Sequence, residues 1–202
     1  NALDLHHVML ITGDPPKIGN VQTATPVFDI DSIGLIRMVN DLNHGIGLTG
    51  TDIGGQTQFV LGAGCNPGAV DLGTETRRFA AKVEAGAEFF FSQPSYEPEL
   101  FERFLAMTSA FSQVPLFVGI LPLASLRNAE FLHNEVPGMQ IPDSIMKRMR
   151  AAQCKEEQQR EGIRIAQDML LQAVAHPRVN GVYLFPPFGR YDSALEVLQV
   201  LQ

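Results

Sequence analysis

Residues 59–92 read FVLGAGCNPGAVDLGTETRRFAAKVEAGAEFFFS, and this stretch decides the fold. Phe59 to Ala63 is a short, nearly unbroken apolar run. Glu75 to Ala85 carries a helical pattern stopped by Gly86, and Ala87 to Ser92 is apolar again. Strands of this kind, apolar along their whole length instead of alternating, are expected where helices cover both faces of a sheet. A helix between two such strands predicts a parallel βαβ unit.

The same alternation extends in both directions. Strands are predicted at His7 to Thr12, Leu116 to Ile120 and Val182 to Phe185, giving five in all. Helices are predicted at Ser32 to Leu42, Glu99 to Phe111, Ser125 to Asn134, Asp143 to Ala151, Glu156 to Ala175 (ended by Pro177) and Tyr191 to Leu201. In the Glu156 helix, Ile163, Ala166, Leu170 and Ala173 form a stripe at spacings of three and four that should pack on the sheet, while Glu157, Arg160, Arg164 and Gln172 can face water. Right-handed crossovers then leave two α/β architectures, a doubly wound sheet or a barrel. Composition does not shift along the 202 residues, so residues 1–202 read as part of one domain. The long Pro15 to Pro26 connection is of the kind that serves binding sites.

A formal net charge of -7 without any run of Lys or Arg argues against a nucleic-acid partner. No apolar stretch is long enough to span a bilayer, and Asn1 to Asp14 lacks the layout of a secretion signal, so the expectation is a soluble, cytoplasmic protein. Cys65 and Cys154 fall in different elements with no metal-ligand spacing beside either, which signals neither a disulfide nor a metal site. Gly62-Ala63-Gly64 lacks the third glycine of a dinucleotide fingerprint, and no P-loop is present.

In both candidate architectures functional groups collect past the C-terminal ends of the strands. Here those ends read Thr12-Gly13-Asp14-Pro15-Pro16, Gly64-Cys65-Asn66-Pro67-Gly68-Ala69, Ser92-Gln93-Pro94, Leu121-Pro122-Leu123-Ala124-Ser125 and Pro186-Pro187-Phe188-Gly189-Arg190-Tyr191-Asp192. Gly13 beside Asp14 would let a flat heterocycle approach while a carboxylate tunes it, though Asp14 also fits a turn before Pro15. Gln93 can read a ring edge with its paired donor and acceptor, or satisfy nearby backbone. Arg78 and Lys82, one turn apart, can hold a phosphate or lie on an exposed helix face. Phe89, Phe90 and Phe91 read as strand packing.

Taken together, these strand ends resemble methylenetetrahydrofolate reductases. The matching text is Leu10-Ile-Thr-Gly-Asp-Pro-Pro16, Phe28-Asp-Ile-Asp-Ser-Ile33, Asn66-Pro-Gly-Ala69, Lys82-Val-Glu-Ala-Gly-Ala87 followed by Ser92-Gln93, Gly119-Ile-Leu-Pro122 and Pro187-Phe-Gly-Arg-Tyr-Asp192. The wording is most similar to the branch fused behind a homocysteine S-methyltransferase domain, which would lie in the same polypeptide. The resemblance implies a TIM (βα)8 barrel of which this chain holds about the last five βα units, assembled as a homo-oligomer. It implies FAD at the C-terminal ends of the strands, NAD(P)H as hydride donor and 5,10-methylenetetrahydrofolate as substrate. By the same resemblance Asp14 is the catalytic carboxylate near flavin and folate. Thr12, Gly13, Asn66, Glu75, Arg78 and Lys82 fall at flavin-contacting positions, with Asn66 in place of a more usual histidine. Gln93, Asn128 and Arg190 fall at folate-contacting positions, and Leu132 stands where an aromatic residue can stack. Three further strands are expected to precede His6, together with a glutamate proton donor that this sequence does not contain. A barrel segment retained without turnover, or a reductase of another pterin, would fit the same residues. The reductase reading requires Asp14, Gln93 and Arg190 to face one shared cavity.

Overall fold

The computed structural model describes residues 3–16, 19–21 and 23–201; residues 17, 18 and 22 of the Pro15 to Pro26 connection lie outside them. Five parallel strands, β1 (His7–Leu10), β2 (Val60–Cys65), β3 (Phe89–Ser92), β4 (Leu116–Ile120) and β5 (Gly181–Leu184), pair in sequential order, each next to its neighbour in the chain. Among the described residues seven α-helices lie between and after them: α1 (Ser32–Asn43), α2 (Leu72–Glu84), α3 (Pro98–Met107), α4 (Leu126–Glu135), α5 (Asp143–Ala151), α6 (Lys155–Ala175) and α7 (Tyr191–Leu198). The fold is α/β with a five-stranded parallel sheet.

Sequential order with right-handed crossovers sends α1, α2, α3, α6 and α7 to the same face. Burial follows that geometry. Leu10, Leu61, Ala63, Phe90, Leu116, Val118 and Ile120 point to the helices and join Ile36, Phe79, Phe104, Ile163, Ala166, Leu170 and Val197 in one core. Phe79 of α2 stacks on Phe90 of β3 with ring centroids 3.9 Å apart. A buried aromatic ring of this size contributes roughly 2–3 kcal/mol. The α6 stripe of Ile163, Ala166, Leu170 and Ala173 is buried as its spacing predicts.

The second face departs from the expectation of helices on both sides. Met9, Phe89, Phe91, Phe117 and Tyr183 point away from the helices, and among the described residues no helix covers them. Phe91 lies 5.3 Å from Phe117 and 4.9 Å from Tyr183 between ring centroids, so the apolar runs arise from an aromatic ladder on this face. A depression of about 640 Å³ lined by His7, Met9, Val60, Phe89, Phe91 and Phe117 runs along it. Gly62 makes the ladder possible, because a Cβ there would sit 2.3 Å from the Phe89 ring.

Several boundaries also differ. β1 ends at Leu10, so Ile11 and Thr12 belong to the rim, whereas β2 continues through Gly64 to Cys65 in register with Ser92. α2 starts at Leu72 because the Asp71 side chain accepts from Thr74 N at 2.9 Å and caps it three residues earlier than the apolar pattern suggests. The Glu99 to Phe111 segment breaks at Thr108, whose hydroxyl donates to Phe104 O at 2.9 Å, and resumes as a 3-10 turn. The last segment likewise changes from α7 to a 3-10 turn at Gln199.

A second, smaller core sits above the C-terminal rim, where α4 and α5 pack Met139, Ile141, Met146 and Met149 against Tyr96 and Leu123. The α4–α5 pair is inserted between β4 and the crossover helix α6. α6 reaches the rim at Gly162, where a Cβ would lie 1.7 Å from the Leu123 carbonyl oxygen.

Candidate functional site

At the C-terminal ends of β1, β2 and β3 a cavity of about 270 Å³ opens between α1 and α2, and Thr12, Asn66, Glu75, Arg78, Lys82 and Gln93 all line it. Ser32 and Pro137, which the sequence did not single out, line it too. Ser32 follows the capping Asp31, a readable helix start, but Pro137 arrives from the distant α4–α5 connection with no local signal.

Lys82 dominates the electrostatics. It sits in the last turn of α2, is 7% exposed, and its Nζ donates to the Gly64 carbonyl at 2.6 Å. An ammonium has three N–H donors and no acceptor, so one carbonyl leaves capacity toward the cavity. Burial pulls its pKa below the ordinary lysine value, while Glu75 opposes that shift. The exposed-face alternative therefore does not describe Lys82. Glu75 also accepts from Asn66 N at 2.9 Å, which fixes the start of the loop after β2. Arg78 is half-buried at the mouth, 3.6 Å from Asp31. Asp31 caps α1 by accepting from Gly34 N at 2.9 Å, and that bond is the main cause holding its carboxyl below its usual range.

Thr12 Oγ1 accepts from Ser32 N at 3.0 Å, tying β1's end to the start of α1. Asn66 is committed within the protein: Oδ1 accepts from Gly68 N at 3.0 Å and Nδ2 donates to Gly138 O at 2.7 Å. Its side chain thus fastens the α4–α5 connection over the cavity edge. Gly138 has a positive φ of 79°, and a Cβ there would come within 2.9 Å of Asn66 Nδ2. Cys65 is buried beside Lys82, and burial pushes its thiol far above the usual range, which leaves it a neutral packing residue.

The cavity does not gather every expected residue. Gly13 and Asp14 follow Thr12 along the same rim, exposed and outside the cavity lining. A Cβ at Gly13 would meet nothing within 4 Å, so any demand for glycine there would come from a ligand. Arg190 is exposed, donates to Gln159 Oε1 at 3.1 Å, and lines a separate narrow cleft with Pro122, Leu123 and Pro187. Asn128 serves the start of α4: its Oδ1 accepts from Ala124 N and its own N–H donates to Ser125 Oγ, both at 3.1 Å. Leu132 packs against the small core of α4 and α5. Asp14, Gln93 and Arg190 therefore share a rim, following β1, β3 and β5, but the described residues form no one cavity that they share; that condition of the reductase reading is unmet here, and only their common rim speaks for it.

On the rim past β5, Phe188 holds a left-handed backbone with φ of 53° and is 80% exposed, close in sequence to Arg190. A bulky residue in that region is strained. The Tyr183 hydroxyl, whose pKa burial raises to about 12, stays protonated at neutral pH and donates a hydrogen bond to the Ser92 carbonyl at 2.6 Å.

Comparison with known proteins adds three findings. The family model described as methylenetetrahydrofolate reductase matches residues 1–201. A protein of Schizosaccharomyces pombe named methylenetetrahydrofolate reductase 2 is 33% identical over 81 residues, a match that takes in 38% of this chain and 12% of that protein's length. A solved structure of an uncharacterized Clostridium thermocellum protein, described as binding two copies of 5-methyl-5,6,7,8-tetrahydrofolic acid, superposes with a TM-score of 0.53 at 17% identity, over 71% of this chain and 52% of the other.

Proposed function

This chain belongs to the methylenetetrahydrofolate reductase family, and from that premise we propose that the protein reduces 5,10-methylenetetrahydrofolate to 5-methyltetrahydrofolate, with FAD at the strand ends and NAD(P)H as hydride donor. The observation that carries this reading is Lys82, a nearly buried ammonium with spare donors facing a cavity that Arg78, Thr12, Ser32 and Gln93 also line. That donor set suits an anionic, phosphate-bearing ligand with a heterocycle.

FAD, when bound, supplies the relay that takes hydride from the nicotinamide and gives it to the folate. The chain's own groups do the rest. Lys82 and Arg78 would hold the anionic part, and Glu75 keeps the cavity from excess positive charge while fixing the Asn66 loop. Gln93 presents a paired donor and acceptor suited to a pterin edge. Asp14 would orient the folate and tune the flavin from the adjoining rim, with Gly13 clear of contacts for a flat ring. Arg190 would meet the folate's carboxylate tail. Asn66 and Asn128 would act from their present bonds, shaping the rim around the ligands.

The proposal extends to architecture. Sequential strand order, helices on one face and an aromatic inner face support reading the sheet as five consecutive staves of a (βα)8 barrel. The remaining staves would supply the glutamate acid. A fused homocysteine S-methyltransferase domain, a homo-oligomer and a cytoplasmic location belong to the same reading; no helix among the described residues is long and apolar enough to cross a membrane.

The intact polypeptide should purify yellow and oxidise NAD(P)H when given methylenetetrahydrofolate. A folded, colourless protein that takes up no FAD overturns the proposal. A second reading, a barrel retained without turnover, is favoured by Leu132 packing into the α4–α5 core. Asp14→Asn separates the two, because it alters flavin reduction or its reoxidation by folate in an enzyme and changes nothing in a scaffold.

A further inference from the structure

The β3–β4 ladder stops early. Partners are Phe90 with Leu116 and Phe91 with Phe117, whereas β2–β3 continues to Cys65 with Ser92 and β4–β5 to Ile120 with Leu184. Phe90 N donates to Pro115 O, so the regular continuation two residues on would have Gly119 N donate to the Ser92 carbonyl. Instead Gly119 N donates to the Ser92 hydroxyl at 3.1 Å. The carbonyl is left to Tyr183 of β5, whose phenol crosses over β4 and donates to it at 2.6 Å. Gly119 permits the crossing, because a Cβ there would lie 2.9 Å from the Tyr183 oxygen and 2.6 Å from Ser92 O.

The Ser92 carbonyl and the Gln93 N–H are the two ends of one planar peptide. Gln93 N donates to Cys65 O at 2.7 Å, so β2 holds one end of that peptide while Tyr183 holds the other. Gln93 leaves this clamped unit directly into the cavity lining. We infer that Tyr183 is a positioning residue for Gln93: its hydroxyl fixes the Ser92–Gln93 peptide in the gap between β3 and β4 and so sets the direction in which the Gln93 amide meets the pterin. The inference rests on the proposed folate reading. A neighbouring bond provides an internal control, since Tyr96 Oη donates to Leu121 O at 2.8 Å, joining the segments after β3 and β4 without touching Gln93's peptide.

The test is a double-mutant cycle in the intact polypeptide, with 5-methyltetrahydrofolate affinity read by calorimetry and stability by thermal melting. Tyr183→Phe should weaken folate binding about five- to tenfold, the size of one lost hydrogen bond. In a Gln93→Ala background the same change should have no further effect, because the group being aimed is gone. Tyr96→Phe should lower the melting temperature and leave folate affinity within twofold. Gly119→Ala, which displaces the phenol, should reproduce the Tyr183→Phe loss. Additive losses, or equal losses from Tyr96→Phe and Tyr183→Phe, overturn the inference and leave the functional reading standing. If the unaltered protein binds no folate, or Gln93→Ala leaves affinity unchanged, the functional reading itself fails at this residue and the positioning role goes with it.

Discussion

Two cations, Lys82 buried and Arg178 half-buried, stand at opposite ends of the sheet and are held in contrasting ways. Arg178, in the turn entering β5, donates to the carbonyls of Val114 at 2.9 Å and Phe111 at 3.0 Å, closing the turn that leads into β4. Lys82, at the far end of α2, has the Gly64 carbonyl at 2.6 Å and a cavity beside it. The guanidinium at the N-terminal end is engaged by backbone and serves the architecture. The ammonium at the C-terminal end is buried with donors to spare that face a cavity, where water or a ligand can accept from them. The contrast teaches that withdrawing a charge from water is not by itself a sign of function: Arg178, whose Nε stays unpartnered, is turned onto backbone, whereas Lys82 is turned onto a cavity.

The strongest way to break this contrast is Lys82→Met. FAD affinity should fall on the order of 100-fold, the scale of a bond to a charged group, while stability without FAD is unchanged or raised because a desolvated charge is removed. Flavin fluorescence titration and melting measure the two. Arg178→Met should do the reverse. Its unfolding free energy in denaturant should fall by about 2–3 kcal/mol, from two carbonyls losing their donors, with FAD affinity within twofold. A smaller effect sharpens the picture at the rim: Arg190→Ala should weaken folate roughly five- to tenfold and flavin hardly at all, since an exposed cation past β5 is placed for a carboxylate tail. Equal loss of both ligands contradicts that placement.

The smallest effect is in pH. Lys82's folded pKa is depressed below the lysine value of 10.5. Between the folded and unfolded values the unfolded chain holds more protons, so this residue's contribution to stability rises with pH across that alkaline window. FAD affinity should fall across the same window as the ammonium discharges. Both slopes should vanish in Lys82→Met, and melting with flavin titration on the alkaline side, up to the ordinary lysine value of 10.5, checks them.

Strand identity was legible because each strand is an apolar run bounded by Gly, Pro or Asn, and the α6 stripe was legible from its spacing. The single-sided helix layer was not, because an uncovered aromatic face such as that of Phe89, Phe91 and Phe117 looks the same in sequence as a face packed by helices. Spacing alone left Lys82 between a phosphate-holding role and an exposed helix face, because its burial depends on β2 running on to Gly64 and Cys65, two residues beyond the apolar run. Glu75, Arg78 and Lys82 could be read from the pattern that matches the family, but their convergence with Thr12 and Gln93 required the sheet register. Tyr183 was opaque for the same reason: its partner lies 91 residues away, across a strand that only a glycine makes passable. Asn128 shows the opposite difficulty, since a polar residue at a family contact position is here also a helix cap.

Sequential strand order also bears on how the chain reaches this structure. Every strand after β1 pairs with the one made just before it, so each of these βα units finds its template on an edge already present. Loop closure between neighbours is short and entropically mild compared with the distant pairings of an interleaved sheet. The polypeptide can therefore grow as it leaves the ribosome, one unit docking on the last, without waiting for a remote segment to be synthesised.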